Sequence, residues 1–243
     1  AHRLIARFLG IFSIIPLVYI FIKYKDQFSK NKKYFSLFAL ICFQGFLGWF
    51  MVKSGLINNT DVSHYRLALH LSTALIILSL TFWFILENFK ISKFKVRVNN
   101  IFLNLFLILI LIQILLGVFL AGLNGGLLYN TWPDMNGNFL PNDIVKKDLL
   151  NSNTLSNPSV IQFYHRLTSY ILIIFLFILN YSFFKEKIKS KSIFTFNLAI
   201  GLQVILGILT LMTGVKIYYA SLHQLGSVFV LTSFLFIYYK NTN

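Results

Sequence analysis

Five histidines stand in a largely apolar chain, and four of them fall into two matched pairs. His165 opens a long apolar run within IQFYHRLTSY at 161–170, beside Arg166. His2 and Arg3 repeat that dipeptide in AHRLIARFLG at 1–10. His70, in LALHLSTAL at 67–75, and His223, in ASLHQLGSV at 220–228, each lie a few residues inside another apolar run. An imidazole is a proton carrier or a metal ligand. Just inside a membrane span it is costly to bury unless it has a partner or a cofactor. Two imidazoles at one depth on two helices suit the clamping of a planar metal cofactor within a helix bundle. For a single histidine a satisfied interior hydrogen bond is the simpler reading, but four in two matching pairs favour haem-type ligation.

The elements that position these residues follow from hydropathy. The chain has 243 residues, 57% hydrophobic and 12% charged, with 27 Phe and 12 Tyr. Its apolar residues come in runs of roughly 20, the length that crosses a bilayer core. The pattern predicts an all-α polytopic membrane protein with seven transmembrane helices near 2–22, 34–52, 63–86, 99–121, 159–184, 192–213 and 217–239. The net charge of +15 sits in short loops between the runs, the signature of membrane topology rather than of a nucleic-acid partner. Lys23, Lys25, Lys30, Lys32 and Lys33, then Lys90, Lys93, Lys95 and Arg97, then Lys185, Lys187, Lys189 and Lys191 mark alternate loops as cytoplasmic or matrix-facing. Residue 1 is then outside and residue 243 inside. No small-residue cleavage site follows the first apolar run, so it reads as a true span rather than a signal peptide.

Internal similarity organises the spans further. HRLIARFLGIF at 2–12 parallels HRLTSYILIIF at 165–175, FQGFLGWFMVKSGL at 43–56 parallels LQVILGILTLMTGV at 202–215, and LALHLSTALIILSLTF at 67–82 parallels ASLHQLGSVFVLTSF at 220–234. His2 thereby pairs with His165, Gln44 with Gln203, Gly48 with Gly207, Gly55 with Gly214 and His70 with His223. Corresponding helices cross in the same direction, as in parallel repeats about an axis along the membrane normal. The expectation is two pseudo-symmetric four-helix bundles, 1–98 and 99–243, the first missing its opening helix. All four histidines then lie toward one membrane face, at about 1.5 Å of depth per residue. Polar groups near one face, rather than at the midplane of broken helices, count against a transporter.

Arg3, Arg66 and Arg166 stand close to these histidines and are suited to pairing with anionic groups; snorkelling to lipid headgroups is the alternative. His64 has no counterpart in the second half and reads as a rim residue. The single cysteine, Cys42, excludes an internal disulfide or dithiol shuttle. No Walker phosphate loop, GxSxG elbow or HExxH motif is present, so the chemistry has to come largely from a bound cofactor. The segment 122–158 on the histidine side, with Tyr129, Trp132, Asn124, Asn130, Thr131 and Asp134, is too long and aromatic for a plain connector. An interfacial aromatic belt is the other reading of it.

GVFLAGLNGGLLYNTWPDM at 117–135, QGFLGWFMVKSGL at 44–56, VSHYRLALHL at 62–71, VIQFYHRL at 160–167 and ASLHQLGS at 220–227 together resemble the heme A synthase family, in its cysteine-poor branch. The resemblance covers essentially the whole chain. It implies an eight-helix fold of two bundles that oxidises a methyl group of haem O to the formyl group of haem A. It implies a haem b cofactor on His165 and His223, with His2 and His70 at the substrate haem. Heme O synthase and an electron donor are the implied partners, a homo-oligomer is compatible with it, and the bacterial or mitochondrial inner membrane is the implied location. One departure is the family's E-x-x-H acidic residue, whose position falls upstream of Ala1 and is matched in the second half by Gln162. A bis-histidine cytochrome that only relays electrons is the alternative.

The charge bias makes a direct prediction. Single cysteines placed in 23–33 are expected to react with impermeant reagents only from the cytoplasmic side, and those in 136–145 only from the other. The reverse pattern overturns the shared-face placement of the histidines.

Overall fold

The computed structural model describes residues 2–24, 28–55 and 62–242. Among these, seven helices are long and apolar enough to cross a membrane: α1 His2–Lys23, α2 Phe28–Gly55, α3 His64–Asn88, α4 Asn100–Gly122, α5 Pro158–Lys185, α6 Lys191–Met212 and α7 Ile217–Asn241. All seven predicted spans are therefore present as helices. The largest boundary difference is α2, which begins six residues before the predicted 34 and carries Lys30, Lys32 and Lys33 on its first turns. Hydropathy reports only the lipid-crossing part of a helix, whereas lysine is a good helix former that lets the helix run on into the interface. Loop residues 25–27 and 56–61 lie outside the described residues.

Local signals set the helix starts. Asn99 accepts from the Ile101 N–H at 2.8 Å to cap α4. Asn157 accepts from the Ser159 and Val160 N–H groups ahead of Pro158, which needs no donor at the first helical position. The Ser190 side chain caps α6.

Contacts divide the chain into two compact units, Ala1–Phe82 and Trp83–Asn243. In the first, α1 packs on α2. No described residue of α1 is buried, and Leu4, Ile5, Phe8, Leu9, Ile11, Phe12 and Ile15 are exposed on it. That is the expected state of a lipid-facing helix, for which apolar exposure carries no cost. In the second unit α4 touches α5 and α7, and α6 touches α5 and α7, closing a ring of four helices.

The core of that ring is an aromatic cluster. The Phe106 ring centroid lies 5.0 Å from Phe234, 5.7 Å from Phe196 and 5.7 Å from Phe175, and Leu103, Leu179, Leu231 and Ile237 close around them. Aromatic pairs at such separations add about 0.5–1.5 kcal/mol beyond their buried area. The cluster occupies the half of the ring formed by the starts of α4 and α6 and the ends of α5 and α7. In the opposite half, which holds His165 and His223, α6 and α7 bury no side chain. Asn180 and Asn197 bridge α5 and α6 through two reciprocal amide bonds of 2.9 and 2.8 Å.

At the aromatic end the α3–α4 connector is tied to α7. Asn241, 1% exposed, accepts from the Val98 N–H at 2.9 Å and donates to the Val98 carbonyl at 3.0 Å and to Asn100 Oδ1 at 2.8 Å. Lys93 donates to the Tyr239 carbonyl at 2.7 Å and lies 3.3 Å from its ring centroid. Asn241→Ala leaves the buried Val98 amide and carbonyl unpaired. The expected loss is about 1–3 kcal/mol, read as a lower denaturation midpoint in detergent; an unchanged midpoint contradicts this account of the connector.

Candidate functional site

Three of the paired histidines meet the same neighbours. The helix preceding each one in the chain carries a Q-x-x-L-G stretch: Gln44–Gly48 on α2, Gln113–Gly117 on α4 and Gln203–Gly207 on α6. Residues four apart share a helix face, so each glutamine and glycine present themselves together to the neighbouring helix. A Cβ at Gly48 would stand 3.1 Å from His70 Cε1, one at Gly117 3.2 Å from His165 Cε1, and one at Gly207 2.9 Å from His223 Cε1. Each imidazole edge thus rests on helix backbone bared by a glycine, the small-residue approach that membrane helices use for close packing.

The glutamines complete the contact. Gln44 Nε2 donates to the His70 carbonyl at 3.0 Å and lies 3.3 Å from His70 Nε2. Gln113 Nε2 lies 3.3 Å from His165 Nε2. Gln203 Nε2 donates to the His223 carbonyl at 2.8 Å. His223 Nδ1 in turn donates to the Gln203 backbone carbonyl at 3.1 Å, which leaves its Nε2 lone pair for a metal. Buried polar atoms lacking a partner gather here: Gln44 Oε1, His70 Nδ1, Gln113 Oε1, His165 Nδ1 and Gln203 Oε1. Such atoms are rare in folded proteins and concentrate where a ligand or chemistry completes them.

Within the second unit His165 and His223 face each other across α5 and α7, ring centroids 6.4 Å apart and planes at 82°. A metal–imidazole bond of about 2 Å and roughly 1.2 Å from ring nitrogen to centroid place two axial imidazoles about 6.3 Å apart across one metal ion. The separation leaves room for one iron between the two rings, provided that Gln113 Nε2, 3.3 Å from His165 Nε2, gives way. No cluster of three or more His, Cys, Asp or Glu occurs among the described residues, so the donor set suits a metal that brings its own equatorial ligands, as haem does.

The other expected site residues are placed as follows. In the first unit, His2 opens α1 and is exposed. Arg66 lies 5.3 Å from the Phe50 ring, Arg3 is exposed, and the His64 ring lies 4.1 Å from Tyr65, tilted by 40°. Arg166 is engaged by the outer segment. It donates to the carbonyls of Thr131 at 2.9 Å, Asp134 at 2.6 Å and Tyr129 at 2.8 Å, which leaves Nε without a partner.

That segment is a built structure. Asn130 donates to the Leu211 carbonyl at the end of α6 at 2.9 Å, Gln162 to the Tyr129 carbonyl at 3.0 Å, and Tyr170 to the Pro133 carbonyl at 3.2 Å. Tyr129 and Ser159 both donate to Asp143, Ser159 at 2.6 Å. Burial pushes the Asp143 carboxyl up, but these two hydroxyl donors outweigh it and hold it below the usual range. Burial and the Asp143 bond hold the Tyr129 phenol above its usual range, so it stays a donor. The Gly137 N–H and the Thr131 hydroxyl hold the Asp134 carboxyl low in a turn where Gly137 takes φ 89°.

A family model of cytochrome oxidase assembly proteins, COX15-CtaA, matches residues 1–235. The chain belongs to this family. The heme A synthase of Pelagibacter ubique is 53% identical over 243 residues, all of this chain and 72% of that protein. Those of Rickettsia bellii and Flavobacterium johnsoniae are each 37% identical over 98% of this chain and 72% of their own length. Internal similarity between 43–56 and 202–215 pairs Gln44 with Gln203; a third copy, QILLG at 113–117, stands in plain sequence on α4.

The clamp on the outer segment is testable. A lysine cannot reproduce the guanidinium fork, so Arg166→Lys is expected to raise amide hydrogen exchange across 129–137 by about tenfold or more. Folded pKa values of Asp134 and Asp143 are depressed, so their contribution to docking is complete above the unfolded carboxylate pKa and is lost as pH falls through the folded values. Protection of the segment should be flat from neutral pH down to about pH 5 and decline only below about pH 4.

Proposed function

We propose that this chain oxidises a methyl group of haem O to the formyl group of haem A, with a haem b held between His165 and His223. The observation that carries the reading is the 6.4 Å facing pair on α5 and α7, in a chain of this family. Haem b, when bound, supplies one-electron redox chemistry that no side chain here offers. His223, its Nδ1 proton engaged by the Gln203 carbonyl, presents a fixed Nε2. Arg166 and the segment 129–143 cover this end of the ring and limit water access.

His2 and His70 handle haem O in the first unit. A substrate that enters and leaves is held less permanently than a cofactor, so binding there is weaker than at His165 and His223. Arg3 and Arg66, close in sequence to these histidines, would pair with its propionates. On this reading the chain is two halves of a repeat, with bundles 1–98 and 99–243, a division that falls after the break between the contact units at Phe82 and Trp83. The lysine-rich loops face the cytoplasm or matrix, and the histidine end faces the other side of an inner membrane. Heme O synthase is one partner; methyl to formyl removes electrons from the substrate, so the other is a redox partner that takes them up, or an electron donor acting together with dioxygen.

His223→Ala is expected to lose haem b and haem A formation together. His70→Ala is expected to keep haem b and lose haem A formation. Pyridine haemochrome spectra and mass spectrometry of extracted haems read both. Normal haem A production by His70→Ala supports a relay cytochrome instead, and loss of haem b from His70→Ala with retention in His223→Ala reverses the assignment of the two units.

A further inference from the structure

We infer that the three Q-x-x-L-G stretches are the positioning elements of the histidines, each glycine seating one imidazole and each glutamine contacting that histidine, Gln44 and Gln203 through its backbone carbonyl and Gln113 through its ring. This rests on the reading of His165 and His223 as haem ligands and concerns what sets their orientation.

The geometry of the three sites is the same while their surroundings differ. Gly48, Gly117 and Gly207 each meet the Cε1 edge of an imidazole, at 3.1, 3.2 and 2.9 Å from a built Cβ. Gly45 and Gly201, on α2 and α6, meet nothing within 4 Å. Glycine in a helix interior costs about 1 kcal/mol relative to alanine, so a glycine against a histidine needs a packing reason, which the contact supplies. At the Gly207 site the fit is reciprocal: a Cβ at Gly226 on α7 would stand 2.2 Å from Gln203 Oε1, so each helix bares backbone for the other's polar side chain. Gln203 fastens the backbone carbonyl of His223, and Gln44 that of His70, at 2.8 and 3.0 Å. Gln113 instead reaches the ring of His165, at the nitrogen whose lone pair an iron would take.

The contacts rank the seats. Gly207 is the tightest, with room for no added carbon unless His223 moves. Gly117 is looser, so Gly117→Ala tilts His165 by a few tenths of an ångström and leaves the fold intact. These are positioning residues, and their effect is read on the iron rather than on turnover.

The experiment compares purified Gly117→Ala, Gly207→Ala and Gly201→Ala with the parent protein by haem content, low-spin electron paramagnetic resonance and potentiometric titration of the haem. Gly201→Ala should match the parent in all three. Gly117→Ala should retain haem but shift both the resonance anisotropy and the midpoint potential, because both depend on axial imidazole orientation. Gly207→Ala should bind haem about tenfold more weakly, the scale of overpacking by one methyl group. If the parent protein holds haem and Gly117→Ala and Gly207→Ala match it throughout, the seats play no such part. If Gly201→Ala shifts as much as they do, a general helix effect replaces the proposal. A parent protein without haem overturns the underlying ligand assignment instead.

Discussion

An imidazole in hydrocarbon must be partnered, and most of what is distinctive here answers that constraint. Lipid supplies no hydrogen bonds, so every polar atom at membrane depth has to be met by another helix or by a ligand. The helices that carry histidine achieve this with a neighbour that offers two things one turn apart, a bare stretch of backbone and an amide. The rest of the second unit is arranged to hold those neighbours in register. The phenylalanine cluster around Phe106 fills the other half of the ring, and Asn180 with Asn197 locks α5 to α6 by two bonds.

This division of labour separates stability from chemistry within one set of helices. Dispersion between close-packed aromatic rings holds the helices together where no solvent-driven force between them exists. Freed from that duty, the histidine end tolerates buried polar atoms that lack protein partners, including His165 Nδ1 and Gln113 Oε1. Such atoms would be defects in a core built for stability alone. At the same end, Arg166 spends its guanidinium on the carbonyls of Tyr129, Thr131 and Asp134, so one side chain beside the ligand candidate also shapes the cover above it.

The two units use the module differently. In the second, two histidines on α5 and α7 face each other with a seat each. In the first, His70 has its seat on Gly48 and its glutamine, while His2 is exposed at the start of α1.

Sequence alone determined the class and the seven helices long and apolar enough to cross a membrane, because hydropathy acts over twenty-residue lengths and does not depend on which helix touches which. It also carried the pairing of Gln44 with Gln203 and Gly48 with Gly207, since repeats preserve residue types. It could not show that Arg166 is taken up by loop carbonyls, that Asp143 gathers Tyr129 and Ser159, or that α2 continues through Lys30, Lys32 and Lys33. Those depend on which backbone groups remain unpaired once the chain is folded, a property of no single segment. Why a glycine lies opposite each seated histidine was likewise decided only by tertiary structure. A missing side chain has a meaning only when the edge of another helix's imidazole is seen to occupy its place.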